Sequence, residues 1–108
     1  MASSAQAKEF IAKIAPIIQE EARQRGYLVC SPIIAQACIE SGFDTSLLSY
    51  KYHNYFGLKC GSSWKGRSVN LKTKEEVNST LISIRDNFRV YPDMVTGING
   101  YFDFISTK

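Results

Sequence analysis

Long apolar runs and basic runs are both missing from this 108-residue sequence. No stretch approaches the ~20 apolar residues that a membrane-spanning helix needs. The 13 Lys and Arg and the 10 Asp and Glu are spread along the chain and leave a net charge of +3. We therefore expect neither a membrane span nor a nucleic-acid partner. The N-terminus lacks a basic segment followed by an apolar one, so no signal peptide is predicted.

Residue types that bind metals are scarce. His53 is the only histidine, and Cys30, Cys38 and Cys60 lack any Cys-x-x-Cys spacing. The sequence therefore predicts no metal site and no cofactor. Cys38 lies in an apolar stretch and is expected to be a small buried side chain. A disulfide between Cys30 and Cys60 is an open alternative, which no sequence feature selects.

A globular chain is indicated by the hydrophobic fraction of 44% and the aromatic fraction of 12%. At this length we expect one domain over residues 1–108, with a disordered N-terminus at residues 1–5. No internal repeat, linker or low-complexity segment is present. Turn-forming and strand-forming residues dominate residues 58–91, which predicts a small β-lobe inserted into a helical protein.

Helical periodicity marks three further segments. The first spans about Gln6 to Arg25, where Pro16 is predicted to kink or divide the helix. A short helix is expected from Leu47 to about Tyr52, capped by one of the three residues before it. The last helix opens at Pro92-Asp93 and carries two glycines, so tertiary packing must hold it.

The stretch Ser31–Gly42 predicts a central helix. Ser31 is expected to cap it, Pro32 fits the first turn, and Gly42 is a natural stop. Its apolar residues cover most of the circumference, so we expect burial on nearly all sides.

Glu40 lies in the last turn of this helix, on the apolar stripe. Burial and the helix dipole both disfavour an ionised carboxylate there, which favours a general acid that stays protonated near neutral pH. The competing interpretation is a solvated glutamate or one paired with Lys or Arg.

The predicted β-lobe contains three short strands, Ser68–Leu71, Thr80–Arg85 and Phe88–Tyr91, with a turn at Asp86-Asn87. Glu75 and Glu76 fall in the loop between the first two strands. Cleavage of a glycosidic bond commonly needs a second carboxylate besides the acid. From the residues alone the candidates stay open: Asp44, Glu75, Glu76, Asp86 and Asp93.

Four aromatic residues are candidates to stack on sugar rings in a cleft beside the lobe: Tyr55, Phe56, Trp64 and Tyr91. Core packing is the alternative for each, and is at least as favoured for Phe56.

Several motifs together resemble one known family. They are Phe10-Ile-Ala-Lys-Ile-Ala-Pro16, Ile34-Ala-Gln-Ala-Cys-Ile-Glu-Ser-Gly42, Thr45-Ser46, Asn54-Tyr-Phe-Gly-Leu-Lys59, Trp64-Lys-Gly66 and Asp86-Asn-Phe-Arg89. In this order and spacing they are similar to the peptidoglycan-cleaving N-acetylglucosaminidases of glycoside hydrolase family 73, which include autolysins and flagellar enzymes. The similarity runs from Phe10 to Phe104.

The resemblance implies a lysozyme-like α+β fold, with a helical core and a small antiparallel β-lobe flanking the active-site cleft. It implies hydrolysis of the β-1,4 bond between N-acetylglucosamine and N-acetylmuramic acid, with Glu40 as the general acid and Glu75 as the activator of water. Assistance by the substrate's own N-acetyl group is an alternative to Glu75. The predicted partner is the glycan strand of peptidoglycan, with action at the cell wall, outside the cell or in the periplasm. The full predicted substrate-binding set is Ser41, Asn54, Tyr55, Phe56, Trp64 and Tyr91.

The chain departs from the resemblance at three points. Asp44 adds a carboxylate near the predicted acid, and His53 stands where asparagine is usual. Relatives also continue past the position of Phe104 with a helical section. We therefore expect an exposed apolar patch, covered by a dimer, a domain swap or a partner chain. Two alternatives to the glucosaminidase stay open: an inactive or truncated glycan-binding domain, and a lytic transglycosylase or muramidase of the same fold class.

Overall fold

The computed structural model describes residues 2–107 and consists of helices around one β-hairpin. In chain order the elements are α1 (Ser4–Gln24), α2 (Ser31–Ser41), α3 (Leu47–Tyr50), β1 (Ser68–Val77), β2 (Thr80–Arg89) and α4 (Met94–Ser106). Both α2 and α4 pack against α1. This arrangement confirms the predicted α+β class with a small antiparallel lobe. Across residues 2–107 no helix is both long and apolar enough to cross a membrane.

α1 begins earlier than predicted. Ser3 caps it by accepting a hydrogen bond from the Gln6 N–H at 3.1 Å, so residues 3–5 are ordered where we predicted disorder; residue 1 lies outside the described residues. The helix continues through Pro16, and the predicted division there is wrong. Pro16 and Ala12 are both exposed, so water can bond the Ala12 carbonyl that loses its helical partner. The buried stripe of this helix is Phe10, Ile14, Ile18 and Ala22.

α2 stops where predicted, but its N-cap and its burial differ from the prediction. Cys30 rather than Ser31 is the N-cap, and Gly42 ends the helix in the left-handed conformation with φ of 59°. The prediction of burial on nearly all sides is wrong, because α2 packs on α1 along one face only and the described residues leave the opposite face open. That exposed face consists of Pro32, Ala35, Gln36, Ile39 and Glu40.

Large apolar side chains are exposed on and beside α2. Ile39 is 74% exposed, and Leu28 and Val29, which precede the helix, are 99% and 65% exposed. The sequence analysis predicted an exposed apolar patch. What covers these side chains, a second copy or a partner chain, stays a prediction.

β1 and β2 form one long hairpin instead of three short strands. Asn78–Ser79 is the two-residue turn, and both residues have positive φ, as a type I′ turn requires. The predicted turn at Asp86–Asn87 is wrong, because both residues pair with β1 and the ladder overrides their local turn preference. Glu75–Glu76 lies inside β1, so the predicted loop at these residues is also wrong.

A short segment before the hairpin lies alongside β2. Lys59 forms an antiparallel bridge with Phe88, the Cys60 N–H donates to the Asn87 carbonyl at 2.9 Å, and the Arg89 N–H donates to the Leu58 carbonyl at 3.1 Å. Residues 58–60 are therefore paired with β2.

Gly97 is one of the two glycines that weaken α4 in isolation. Its lack of a side chain is what allows the helix to pack. A Cβ atom at Gly97 would lie 2.1 Å from the His53 carbonyl oxygen, so only glycine allows α4 to approach this loop. Next to it Phe56 stacks on Tyr101, with ring centroids 3.8 Å apart and an interplanar angle of 9°. Tertiary packing thus holds α4, as predicted.

Within residues 2–107 the three cysteines are free thiols. Cys38 is buried, as predicted, and burial raises the pKa of its thiol. The alternative of a Cys30–Cys60 disulfide is not adopted in this structure.

Candidate active site

A cleft of about 580 Å³ separates the helical core from one face of the hairpin. Its lining comes from the end of α2, the start of α3, the segment before the hairpin, and both strands. The residues that line it are Glu40, Ser46, Leu47, Leu48, Gly57, Lys59, Leu71, Lys72, Thr73, Glu75 and Phe88. Glu40 and Glu75, the two predicted catalytic carboxylates, are thus brought to one cavity.

Glu40 reaches this cleft from the last turn of α2. Gly42, in the left-handed conformation, ends the helix two residues later. The Glu40 side chain is exposed, and the prediction that it is buried on an apolar stripe is wrong, because this side of α2 is open. Gly57 lies against the carboxylate: a Cβ atom there would be 3.5 Å from Oε2. Glu40 is therefore accessible to a ligand in the cleft.

Glu75 reaches the cleft from β1. Strand alternation puts Leu71, Thr73 and Glu75 on the face that lines the cavity. On the neighbouring strand Ile82 pairs with Glu75. The face of β2 on the cleft side of the hairpin is therefore the one that carries Ile82 and Ile84.

Lys59 connects Glu75 to the rest of the lobe. Its ammonium forms an ion pair with the Glu75 carboxylate and lies 3.3 Å from Oδ2 of Asp86. Hydrogen bonds to Glu75 and then to Asp86 raise the pKa of Lys59. A permanent positive charge therefore lies beside one of the two cleft carboxylates.

The other candidates for the second carboxylate lie elsewhere. Asp44 accepts a hydrogen bond from the Ser49 hydroxyl at 2.5 Å and lines a separate cavity beside α1. Asp93 caps α4 by accepting from the Thr96 N–H at 2.8 Å. Glu76 is exposed and, by strand alternation, lies on the opposite face from Glu75. Among the five candidates, only Glu75 lines the cleft, and only Asp86 also forms an ion pair with Lys59.

Two of the polar residues predicted to bind substrate are instead buried in structural roles. Ser41 is 1% exposed, and its hydroxyl accepts from the Asp44 N–H at 3.2 Å. Asn54 is 2% exposed and donates to the carbonyls of Leu58 and Arg89, both at 2.9 Å, while accepting from the Leu58 N–H at 3.0 Å. These side chains shape the loops beside the cleft rather than line it.

Tyr55 and Phe56 lie in the core, the alternative that the sequence analysis left open. The Tyr55 hydroxyl is 3.0 Å from Nδ1 of His53, and burial, with the charges of Asp44 and Asp93, raises the pKa of Tyr55 to about 12. Phe56 is 6% exposed beneath Tyr101.

Trp64 and Tyr91 pack against each other away from the cleft. Their ring centroids are 5.5 Å apart. The Trp64 indole donates to the Arg67 carbonyl at 2.8 Å, and the Arg89 guanidinium lies 4.9 Å from the Trp64 ring centroid. Trp64 lines a separate cavity of about 320 Å³, near the end of α4.

Sequence reasoning missed Lys59 and Gly57 as members of this site. Both lie in the run Asn54-Tyr-Phe-Gly-Leu-Lys59, which was singled out for its aromatics. A positive φ of 66° at Gly57 is the kind of conformation that a glycine between bulky residues signals. No local signal pairs Lys59 with Glu75, which is 16 positions away.

The arrangement suits acid-base chemistry on a neutral or weakly charged ligand. One carboxylate is open to solvent, the other is fixed by a lysine, and apolar side chains of α3 and the hairpin line the same cleft. In the described range, no group of three His, Cys, Asp or Glu side chains is placed to hold a metal ion. Two carboxylates that flank a cleft are the usual catalytic groups for cleaving a glycosidic bond.

Comparison with known proteins agrees with this reading. A family model described as glucosaminidase, mannosyl-glycoprotein endo-beta-N-acetylglucosaminidase, matches residues 15–108. The chain is 31% identical over 105 residues to the peptidoglycan hydrolase FlgJ of Pseudomonas aeruginosa, a match that covers 94% of this chain and 26% of that protein. It is 37% identical over 92 residues to a probable N-acetylmuramidase of Lactococcus lactis subsp. cremoris, covering 84% of this chain and 20% of the relative.

A solved structure has the same fold. A peptidoglycan hydrolase mutant from Sphingomonas sp. A1 superimposes with a TM-score of 0.80 at 26% identity, covering 93% of this chain and 66% of that one. This likeness confirms the predicted fold class. The chain spans about a quarter or less of the two curated relatives.

Proposed function

This chain belongs to the glucosaminidase family of glycoside hydrolases, family 73, and on that basis we propose that it hydrolyses the glycan strands of peptidoglycan. The bond cleaved is the β-1,4 linkage between N-acetylglucosamine and N-acetylmuramic acid. One observation carries the proposal: Glu40 and Glu75, from different elements, line the same cleft. The site of action is the cell wall, where these strands are found.

Glu40 acts as the general acid. In its protonated form it donates a proton to the oxygen that leaves as the glycosidic bond breaks, while positive charge develops on the sugar ring. Its exposure at the cleft, beside a glycine that has no side chain, gives the glycosidic oxygen room to approach. A positioned general acid typically contributes 10²–10⁴-fold to the rate.

Glu75 acts as the base that activates water on the opposite face of the sugar. It is suited to this role because the ion pair with Lys59 holds it in place at the cleft. Assistance by the substrate's N-acetyl group is the competing route, in which Glu75 contributes little. Carboxyl groups ~6.5–9.5 Å apart leave room for an attacking water, whereas about 5 Å suits a protein nucleophile.

The test is product analysis after incubation of the protein with purified peptidoglycan, beside three variants. Glu40→Gln keeps the shape of the side chain and removes the acidic proton, so we expect a loss of about 10²-fold or more in rate. Glu75→Gln tests the base, and Glu76→Gln is the matched control on the opposite face of β1. New reducing N-acetylglucosamine ends, absent with Glu40→Gln and retained with Glu76→Gln, are the expected result.

Three outcomes would contradict parts of the proposal. Hydrolysis by a folded Glu40→Gln at the wild-type rate would remove Glu40 as the acid. Full activity of Glu75→Gln would favour the N-acetyl route. Affinity for glycan fragments without any product from the wild type would favour a binding domain.

N-acetylmuramidase activity is the second candidate, because a relative with 37% identity carries that name. The same cleft and acid would serve either bond. Mass spectrometry of the products separates the two activities, since a muramidase leaves reducing N-acetylmuramic acid and a lytic transglycosylase leaves an anhydro end.

A further inference from the structure

The Lys59 side chain joins three segments of the lobe. Its ammonium contacts the Glu75 carboxylate on β1 and lies 3.3 Å from Oδ2 of Asp86 on β2, while Lys59 itself precedes both strands. All three side chains are partly exposed, at 43%, 38% and 36% respectively. The contact is thus made at the cleft surface, within reach of a bound ligand.

The backbone of Lys59 is fixed independently of this contact. It bridges Phe88 in an antiparallel pair, and its carbonyl accepts a hydrogen bond from Nε of Arg89 at 3.0 Å. The backbone of Lys59 is therefore held against β2, and only the position of the ammonium depends on its ionic partners.

The ion pair requires a curled hairpin. Glu75 pairs with Ile82, which lies six residues along β2 from Phe88, the bridge partner of Lys59. In a flat strand the Glu75–Ile82 pair and the Lys59–Phe88 pair would lie about 20 Å apart. This distance is beyond the combined reach of a lysine and a glutamate side chain. The contact therefore joins the base of the hairpin to its far half, across the concave face.

We propose that Lys59 is a positioning residue for Glu75, holding its carboxylate in the cleft that Glu40 lines. This inference rests on the proposed function, in which Glu75 activates water. Asp86 is the second ionic partner of Lys59 in this arrangement. When Glu75 takes up a proton from the attacking water, the ammonium keeps Asp86 as a negatively charged partner and is not left unpaired.

Lys59 remains charged under the conditions where the enzyme would work. Hydrogen bonds from the ammonium to Glu75 and Asp86 raise its pKa above the ordinary lysine value. A charged donor beside a carboxylate gives a stronger and more directional hydrogen bond than a neutral one.

The contact is tested without any activity by NMR titration of the Lys59 side chain. Glu75→Gln is expected to lower the pKa of Lys59, and Asp86→Asn to lower it as well, because each removes one partner. Glu76→Gln, one residue away on the opposite face, should leave it unchanged. An unchanged Lys59 titration in Glu75→Gln would overturn the proposal.

The role is tested by kinetics of Lys59→Met and Lys59→Arg. Lys59→Met should reduce kcat by about tenfold or more, since small displacements of a catalytic group are costly, with KM within about twofold. Lys59→Arg should restore most of the rate, and Lys74→Met, which removes a lysine from the opposite face of β1, should leave it unchanged. A wild-type kcat in Lys59→Met, or no recovery with arginine, contradicts the role. An inactive wild type would instead overturn the proposed function, and the NMR arm would still decide whether Lys59 holds Glu75.

Discussion

Gly57 lies against the carboxylate of Glu40, so that a Cβ atom added to the glycine would sit 3.5 Å from Oε2. The contact joins the loop before the hairpin to the end of α2. It gives the predicted acid one close protein neighbour on the floor of the cleft.

We therefore expect Gly57→Ala to affect both stability and activity. The residue has a φ of 66°, where an L side chain costs about 1–2 kcal/mol, and the new methyl group contacts the acid. Gly61→Ala is the matched control, because Gly61 has a φ of 60° with no atom within 4 Å of the added Cβ. Urea unfolding should give a similar loss for both variants, and only Gly57→Ala should lose hydrolysis. Equal activity in the two would mean that the contact with Glu40 has no effect on catalysis.

Asn54→Ala should be strongly destabilising. Its buried amide makes three hydrogen bonds, two to Leu58 and one to Arg89, and removing it leaves these backbone groups without partners. We expect a loss of about 2–4 kcal/mol in the free energy of unfolding. Asn70→Ala removes an asparagine whose hydrogen bonds are exposed, and it should cost less than about 1 kcal/mol. Similar denaturation midpoints for the two variants would contradict the role of Asn54 as a buried clamp.

Tyr55 should make the protein sensitive to alkali. Its folded-state pKa of about 12 is higher than the ~10 of an unfolded tyrosine, so its contribution is complete below pH ~10 and is lost as pH rises through about 12. Tyr55→Phe should flatten the decline in unfolding free energy across that window, at a cost of about 1 kcal/mol at neutral pH for the lost hydrogen bond to His53. Tyr50→Phe, at an exposed position, should follow the wild-type profile. Parallel profiles for wild type and Tyr55→Phe would show that Tyr55 does not carry this effect.

The helices and the stop of α2 were predictable because they depend on neighbours within one or two turns. The helix that carries Phe10, Ile14 and Ile18 was predicted from its periodicity, and Gly42 was correctly identified as the stop of α2. Predictions failed where pairing overrode local preference. Asp86–Asn87 has the composition of a turn but is held in β2 by its partners across the hairpin.

Burial of Glu40 could not be predicted from periodicity. An apolar stripe indicates which side of a helix favours burial. It does not indicate whether another part of the protein packs on that side. The described residues leave this side of α2 open, so Glu40 and Ile39 are exposed. The aromatic residues that were candidates to stack on sugar rings differ in the opposite direction: Tyr55, Phe56 and Tyr91 are all buried.

By itself the sequence determined the helices, the existence of a small β-lobe and the resemblance to a glycoside hydrolase family, since these follow from spacing and motif order along the chain. Only the tertiary structure decided which carboxylates share a cleft and that Lys59 holds one of them. The pairing of Lys59 with Glu75 joins residues that are 16 positions apart in the chain. No local pattern specifies such a contact, because it forms only when the segment before the hairpin pairs with β2.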